Sequence, residues 1–267
     1  MSGLFITFEG IEGCGKSTQI ERLAKRLADA GRETVSLREP GGTTIGEAIR
    51  DVVKHPPGNK PISPDTELLL MNASRAQLVQ EAIRPALAKG TVVLCDRFYD
   101  SSLAYQGYGR GVDLAKVQQA IDLAVGETKP ILTLLLDISL SVSQARVSGR
   151  QRTTGEGQDQ FDESGLAFFE RVHTGFHALA KGEPERYRVI DGAQLPDAVG
   201  QAVWGCIAPL LCLGVMLPLG DLNRLCRDWL GEAEEERQKP HHDHAEGEHQ
   251  QLPHPKRRQP EWPPSFR

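Results

Sequence analysis

The sequence predicts a doubly wound α/β fold on a parallel sheet, and three observations point to it. Five short runs, at residues 4–9, 34–38, 91–96, 131–137 and 186–191, are near-continuously apolar, as strands covered on both faces must be. Longer amphipathic stretches alternate with them, at residues 18–30, 45–53, 64–89, 113–125, 139–150, 165–180 and 196–213. Such alternation builds right-handed crossovers and so places helices on both faces of the sheet. The third observation is Gly10-Ile11-Glu12-Gly13-Cys14-Gly15-Lys16-Ser17, which joins the first strand to the first helix.

That loop carries the full phosphate-binding pattern in the strand–loop–helix setting the pattern requires. Its glycines let backbone N–H groups turn toward an anion without Cβ clashes, and the helix start adds its positive dipole end. Lys16 is expected to reach the outer phosphates of a nucleoside triphosphate. Ser17 offers a hydroxyl to Mg²⁺, and Thr18 follows in the first helical turn. Cys14 reads as a small residue that fits the loop, not as a redox centre.

The second strand ends in Arg38-Glu39-Pro40-Gly41-Gly42-Thr43, with an arginine at the carboxyl edge of the sheet, where such folds bind ligands. A guanidinium suits phosphate because its planar fork bonds in two places. Residues 64–89 read as one long helix. The third strand ends in Cys95-Asp96-Arg97-Phe98, giving a carboxylate for Mg²⁺ and another cation. Ser101-Ser102-Leu103-Ala104-Tyr105-Gln106-Gly107 follows, with a hydroxyl, a phenol and an amide suited to a sugar and a base edge. Each group alone could cap a strand with its charge in solvent. Together, at successive strand ends beside a phosphate loop, they point to a second phosphate-bearing substrate.

The helix at 139–150 runs into a Gly- and Gln-rich segment before the next helix. Residues 203–219 are apolar but contain two prolines and two glycines, and are short beside the about 20 residues of a membrane span. A terminal helix packed on the domain is expected instead. Past residue 214 the character changes, and residues 232–267 hold few core-forming side chains, which predicts disorder. The chain thus divides into a domain at 1–214 and an extension at 215–267. His241-His242-Asp243-His244 lies in that extension without a closed metal-ligand set.

A net charge of −5 gives no general attraction to nucleic acid or a membrane surface, so any anion site must be local. The five cysteines, Cys14, Cys95, Cys206, Cys212 and Cys226, show neither metal nor disulfide-framework spacing, and the N-terminus has no export signal. Both features suggest the cytoplasm.

The combined landmarks resemble bacterial thymidylate kinase over roughly residues 3–214. They are Phe8 through Thr18, Arg38-Glu39-Pro40-Gly41-Gly42, Glu67-Leu68-Leu69-Leu70 through Arg75, Asp96-Arg97-Phe98 and Tyr105-Gln106-Gly107. The resemblance implies a P-loop nucleoside monophosphate kinase fold with a five-stranded parallel sheet, a mobile lid and a homodimer. It implies transfer of the γ-phosphoryl group of ATP, with Mg²⁺, to dTMP, giving dTDP on the route to dTTP. It assigns ATP binding to Gly10, Ile11, Glu12, Gly13, Cys14, Gly15, Lys16, Ser17 and Thr18, and the metal to Ser17 and Asp96. Glu12 would bind the 3′-hydroxyl of dTMP, Arg38 and Arg97 its phosphate, and Arg75 and Gln106 the thymine edge. Tyr105 would crowd the 2′ position, with Ser101 beside it in the substrate site.

Two departures stand out. Where the family often stacks an aromatic ring on thymine, this chain has Met71-Asn72-Ala73-Ser74. Where the lid commonly carries an arginine, it reads Asp159-Gln160-Phe161-Asp162, which leaves Arg150 and Arg152 as the candidate catalytic cations beside Lys16 and Arg97. Two other readings compete: a kinase for another nucleoside monophosphate such as CMP or AMP, and an ATP-driven switch without an acceptor. The second leaves Arg38 and Arg97 without a purpose.

Overall fold

A computed structural model describes residues 3–154 and 165–212, apart from the side chains at 59, 150–154 and 212. Strands β1 (Phe5–Glu9), β2 (Thr34–Arg38), β3 (Val92–Asp96), β4 (Leu132–Asp137) and β5 (Tyr187–Asp191) form one all-parallel sheet in the order β2-β3-β1-β4-β5. All carboxyl ends therefore lie on one edge. Thr7 and Thr133 sit side by side in the β1–β4 register, their hydroxyls 2.8 Å apart.

The pleat splits the core in two. Ile6, Phe8, Val92, Leu94, Leu134 and Leu136 face one way, toward α1 (Lys16–Asp29), α8 (Leu166–Gly182) and α9 (Pro196–Cys212). Phe5, Val93 and Cys95 face the other, toward α3 (Pro64–Leu78) and α6 (Leu114–Val125). Coverage on both faces is expected of all five strands, but only the three central ones have it. At the edges β2 has no buried residue and β5 only Tyr187 and Ile190, because each lacks a neighbour on one side.

Local chemistry starts the helices. Ser63 caps α3 through the N–H of Thr66, with Pro64 next, and Asp113 caps α6 through two N–H groups. Thr43 does the same for α2 (Thr44–Lys54). α1 differs: its cap is Gly15, left-handed at φ 96°, with no side-chain bond to the first N–H groups.

The helix expected at 64–89 is interrupted. α3 gives way to a π-turn at Val79–Ile83 and resumes as α4 (Arg84–Ala88). Pro85 has no N–H and its ring would strike the carbonyl four residues back, and the wider turn relieves both problems. A second π-helical segment, Leu103–Gly109, continues from α5 (Tyr99–Ser102) and carries Tyr105 and Gln106. α9 packs on α1 through Val199, Val203 and Ile207, as the sequence suggested. α7 (Leu140–Thr154) outlasts its expected end, so Arg150 and Arg152 lie on its last turns. Their side chains, Gln160 and the extension at 215–267 are outside the described residues.

Candidate active site

The phosphate loop leaves β1 through Gly10, whose φ is 131°; a Cβ there would sit 2.5 Å from the carbonyl oxygen of Leu136. Only glycine fits so close to β4. The loop then wraps its own lysine. Lys16 Nζ donates to the carbonyls of Gly10 (3.1 Å) and Ile11 (3.3 Å) and to Cys14 Sγ (3.5 Å), and Cys14 is buried. α7 braces the loop from outside. Ser143 donates to the Glu12 carbonyl at 2.6 Å, and Arg146 donates to the Gly13 and Gly192 carbonyls at 3.2 and 2.9 Å. Sequence reasoning misses Arg146, which carries no motif.

Ser17 and Thr18 are exposed at the start of α1, and Ser17 Oγ lies 2.9 Å from Asp96 Oδ2. A hydroxyl beside a carboxylate is the oxygen-donor chemistry that a hard divalent cation takes.

Next to the loop opens a cleft of about 840 Å³, part of it open to solvent. Its walls come from separate elements: Glu12 from the loop, Glu39 and Pro40 after β2, Met71 and Arg75 from α3, and Arg97 after β3. Ser101, Ser102, Tyr105 and Gln106 add a polar side, and Phe169 of α8 an apolar one. Hence seven of the eight residues expected at the acceptor, Glu12, Met71, Arg75, Arg97, Ser101, Tyr105 and Gln106, converge there.

Arg38 does not line it. Its guanidinium grips both oxygens of Glu47, at 2.9 and 2.8 Å, and the Pro40 carbonyl at 3.1 Å. The cleft instead holds Arg50 and Lys54 of α2, which no motif marks.

Arg97 has φ 67°, the left-handed region that a non-glycine residue occupies at a cost. Its backbone N–H holds the Phe8 carbonyl (2.9 Å), while its guanidinium reaches Ser101 Oγ and Tyr105 Oη, each at 3.1 Å. Glu9, fully buried at the end of β1, accepts from the Phe98 N–H (2.8 Å) and from Ser101 Oγ (2.7 Å). Burial, with the nearby Asp100 charge, lifts its carboxyl to about 7 against the pull of Arg97 and these two bonds. Asp100 is itself buried and clasped by Arg186, at 2.7 and 2.8 Å, which fixes α5 and the serine it carries.

Arg75 is buried and held on several sides. It donates to Glu39 Oε2 through Nε (2.9 Å), to Asn72 (2.7 Å) and Ser102 (3.0 Å) through Nη1, and to the Phe98 carbonyl through Nη2 (3.2 Å), with Nη2 also 2.8 Å from Glu39 Oε2 in an ion pair. Four of its five N–H donors are therefore engaged. Glu39 answers only in part: its Oε1 is buried without a partner, and desolvation, opposed by Arg75, lifts its carboxyl to about 7. Gln106 donates through Nε2 to Glu67 at 2.7 Å, so its amide oxygen is the acceptor it can offer a base.

The chain is similar to known proteins over most of its length. A family model described as thymidylate kinase matches residues 8–203. The thymidylate kinase of Pseudomonas fluorescens SBW25 is 49% identical over 211 residues, covering 79% of this chain and 98% of the relative. That of Geobacter sulfurreducens is 50% identical over 203 residues, covering 75% and 94%. A crystal structure of thymidylate kinase from Ehrlichia chaffeensis superposes with a TM-score of 0.62 at 32% identity, covering 78% of this chain and 99% of that one. The sheet order, the phosphate loop and these likenesses lead to one conclusion: the chain belongs to the thymidylate kinase family.

Proposed function

We infer that the chain transfers the γ-phosphoryl group of ATP to dTMP, giving dTDP and ADP. The observation that carries this reading is the convergence of a phosphate loop and an adjoining cleft, lined by Arg75, Arg97, Tyr105 and Gln106, on the carboxyl edge of one sheet, in a member of this family. Phosphoryl transfer asks the protein mainly for positioning and charge neutralisation. In the proposed arrangement Gly10 to Thr18 hold ATP, and Lys16 turns from the loop carbonyls to the β- and γ-phosphates. Ser17 and Asp96 would hold Mg²⁺, which supplies charge neutralisation at the phosphates when bound.

The acceptor lies in the cleft, with its phosphate toward Arg97 and its sugar against Tyr105 and Glu12. Gln106 presents an acceptor to the imide N–H of thymine. Arg75 reads the O4 carbonyl by releasing its longest bond, that to the Phe98 carbonyl. Met71 and Phe169 supply the apolar contact to the ring. Arg38 serves the phosphate only after leaving Glu47. Arg150 and Arg152 remain candidates for the transition-state charge.

The homodimer rests on the family resemblance, and the exposed Leu69 of α3 and Leu123 of α6 support it. Among the described residues no helix is long and apolar enough to cross a membrane. A cytoplasmic location fits the cysteine pattern. An ADP-release assay across dTMP, dUMP, dCMP, CMP and AMP tests the reading: dTMP should lead. CMP or AMP in first place would transfer the assignment to another nucleoside monophosphate kinase, and release indifferent to any acceptor would leave only an ATPase.

A further inference from the structure

At the end of β4, three side chains that phosphoryl transfer does not use meet at one point. His173 and His177 lie four residues apart on α8, and so on one face of that helix. Asp137 ends β4. His173 Nε2 is 2.8 Å from Asp137 Oδ1, His177 Nε2 is 3.1 Å from the same oxygen, and the imidazole centroids are 4.6 Å apart. The three donor atoms lie within 4.8 Å of one another, and none of the three residues lines the cleft.

We propose that Asp137, His173 and His177 form a binding site for a divalent transition-metal ion of the Zn²⁺ class. Bonds of about 2.1 Å at tetrahedral angles separate neighbouring ligand atoms by about 3.4 Å. The two nitrogen–oxygen separations, 2.8 and 3.1 Å, are near that value before any ion enters, and the two nitrogens lie within 4.8 Å of each other, so the site closes by small side-chain adjustments. Two imidazoles and one carboxylate suit Zn²⁺ or Co²⁺ and not Mg²⁺, which prefers an all-oxygen shell. The side chains are 31 to 42% exposed, which admits the ion and a water as fourth ligand. Each histidine binds through the Nε2 lone pair, and any proton there leaves to solvent. The bound ion ties α8 to the end of β4, and the same helix sends Phe169 to the cleft.

The histidines of the C-terminal extension, His241, His242, His244, His249 and His254, can also take up metal, so the test starts from full-length protein with these five changed to alanine. After chelator treatment it is titrated with Co²⁺ and then Zn²⁺. One ion per chain is expected, with the intense visible absorption of four-coordinate Co²⁺, displaced by Zn²⁺, and a melting temperature that rises with Zn²⁺. Adding His173→Ala with His177→Ala should abolish all three signals. Asp137→Asn should weaken binding by more than the roughly 10–100-fold that losing an outer-shell partner costs. Circular dichroism of the metal-free variants checks the fold. Should the histidine variant unfold, the starting protein decides alone, since a weak six-coordinate Co²⁺ spectrum overturns the proposal. So does unchanged stoichiometry and affinity in a folded histidine variant, which would make the cluster a shared hydrogen bond to Asp137 and nothing more.

Discussion

Ser17 Oγ donates a 2.9 Å hydrogen bond to Asp96 Oδ2 across the gap between the first turn of α1 and the end of β3. Two oxygens so placed can both face one Mg²⁺, and removing the carboxylate charge weakens the ion's hold on the phosphates. Asp96→Asn should lower kcat by at least about 10²-fold and shift the Mg²⁺ titration of activity to higher concentration, with an unchanged melting curve. An unshifted Mg²⁺ titration would place the ion elsewhere.

Arg97 and Arg38 should not weigh equally on dTMP. Arg97 lines the cleft, whereas Arg38 must first leave a two-point bond to Glu47. A charged hydrogen bond contributes about 1.5–3 kcal/mol, so Arg97→Ala should raise KM for dTMP by at least about tenfold. Arg38→Ala should raise it less, and Glu47→Gln, which loosens the competing grip, should lower it. Steady-state kinetics with ATP saturating will rank the three, and a larger effect at Arg38 would mean that it swings into the cleft with substrate.

Glu9 gives the fold a pH dependence. Its carboxyl is lifted to about 7 from 4.5, so between these values the folded chain holds a proton that the unfolded chain has lost. Its contribution to stability is therefore full below about pH 4.5 and is lost as pH rises through about 7, with a slope of up to about 1.4 kcal/mol per pH unit. Glu9→Gln, close in shape, should flatten urea-unfolding stability by that amount between about pH 5 and 7. An equal slope in both proteins would assign the dependence to Glu39 or another group.

Pyrimidine choice follows from donors and acceptors in the cleft. Arg75 can only donate, and Gln106, whose Nε2 is held by Glu67, has its amide oxygen to offer a base in the proposed arrangement. Cytosine would set its amine against Arg75 and an unprotonated ring nitrogen against the Gln106 oxygen. We expect dCMP to fall behind dTMP in kcat/KM by roughly 10³-fold or more, as unpaired buried polar groups do. Uracil lacks only the methyl, so dUMP should trail by about 10–200-fold, nearer the low end because Met71 replaces a ring. Turnover of dCMP near that of dTMP would show that neither side chain reads the base.

The strands, the phosphate loop and the short stretches that line most of the cleft are legible in the sequence because each is a run of contiguous residues. Apolar runs mark strands, and Gly10 to Ser17 is a pattern that local geometry demands. What the sequence does not show is which partners its polar side chains take. Arg38 carries a strand-end signature, but Glu47 nine residues on captures it. Arg75 looks in sequence like a free donor, yet Glu39, Asn72, Ser102 and Phe98 absorb its hydrogens. Phe169 looks like one more core position of an amphipathic helix. Nothing in a one-dimensional pattern shows that α8 turns that ring to the cleft. The break in the helix at 64–89 is readable, since Pro85 lies inside it, but the periodicity on either side outweighs a single residue.

The sheet order has a consequence for how the chain is made. β1 emerges first from the ribosome but occupies the middle of the sheet, between β3 and β4. Thr7 meets Thr133, 126 residues later. At a synthesis rate of about 5–20 residues per second, the nascent first strand waits about 6–25 s for that neighbour. Gly10 takes its shape against Leu136 of the same late strand, so the loop meant for ATP forms among the last features of the domain. A truncated nascent chain that ends before β4 would leave Ile6 and Phe8 without α8 and α9, which pack on them from later in the chain. Any chaperone guarding this protein should therefore hold the earliest residues longest.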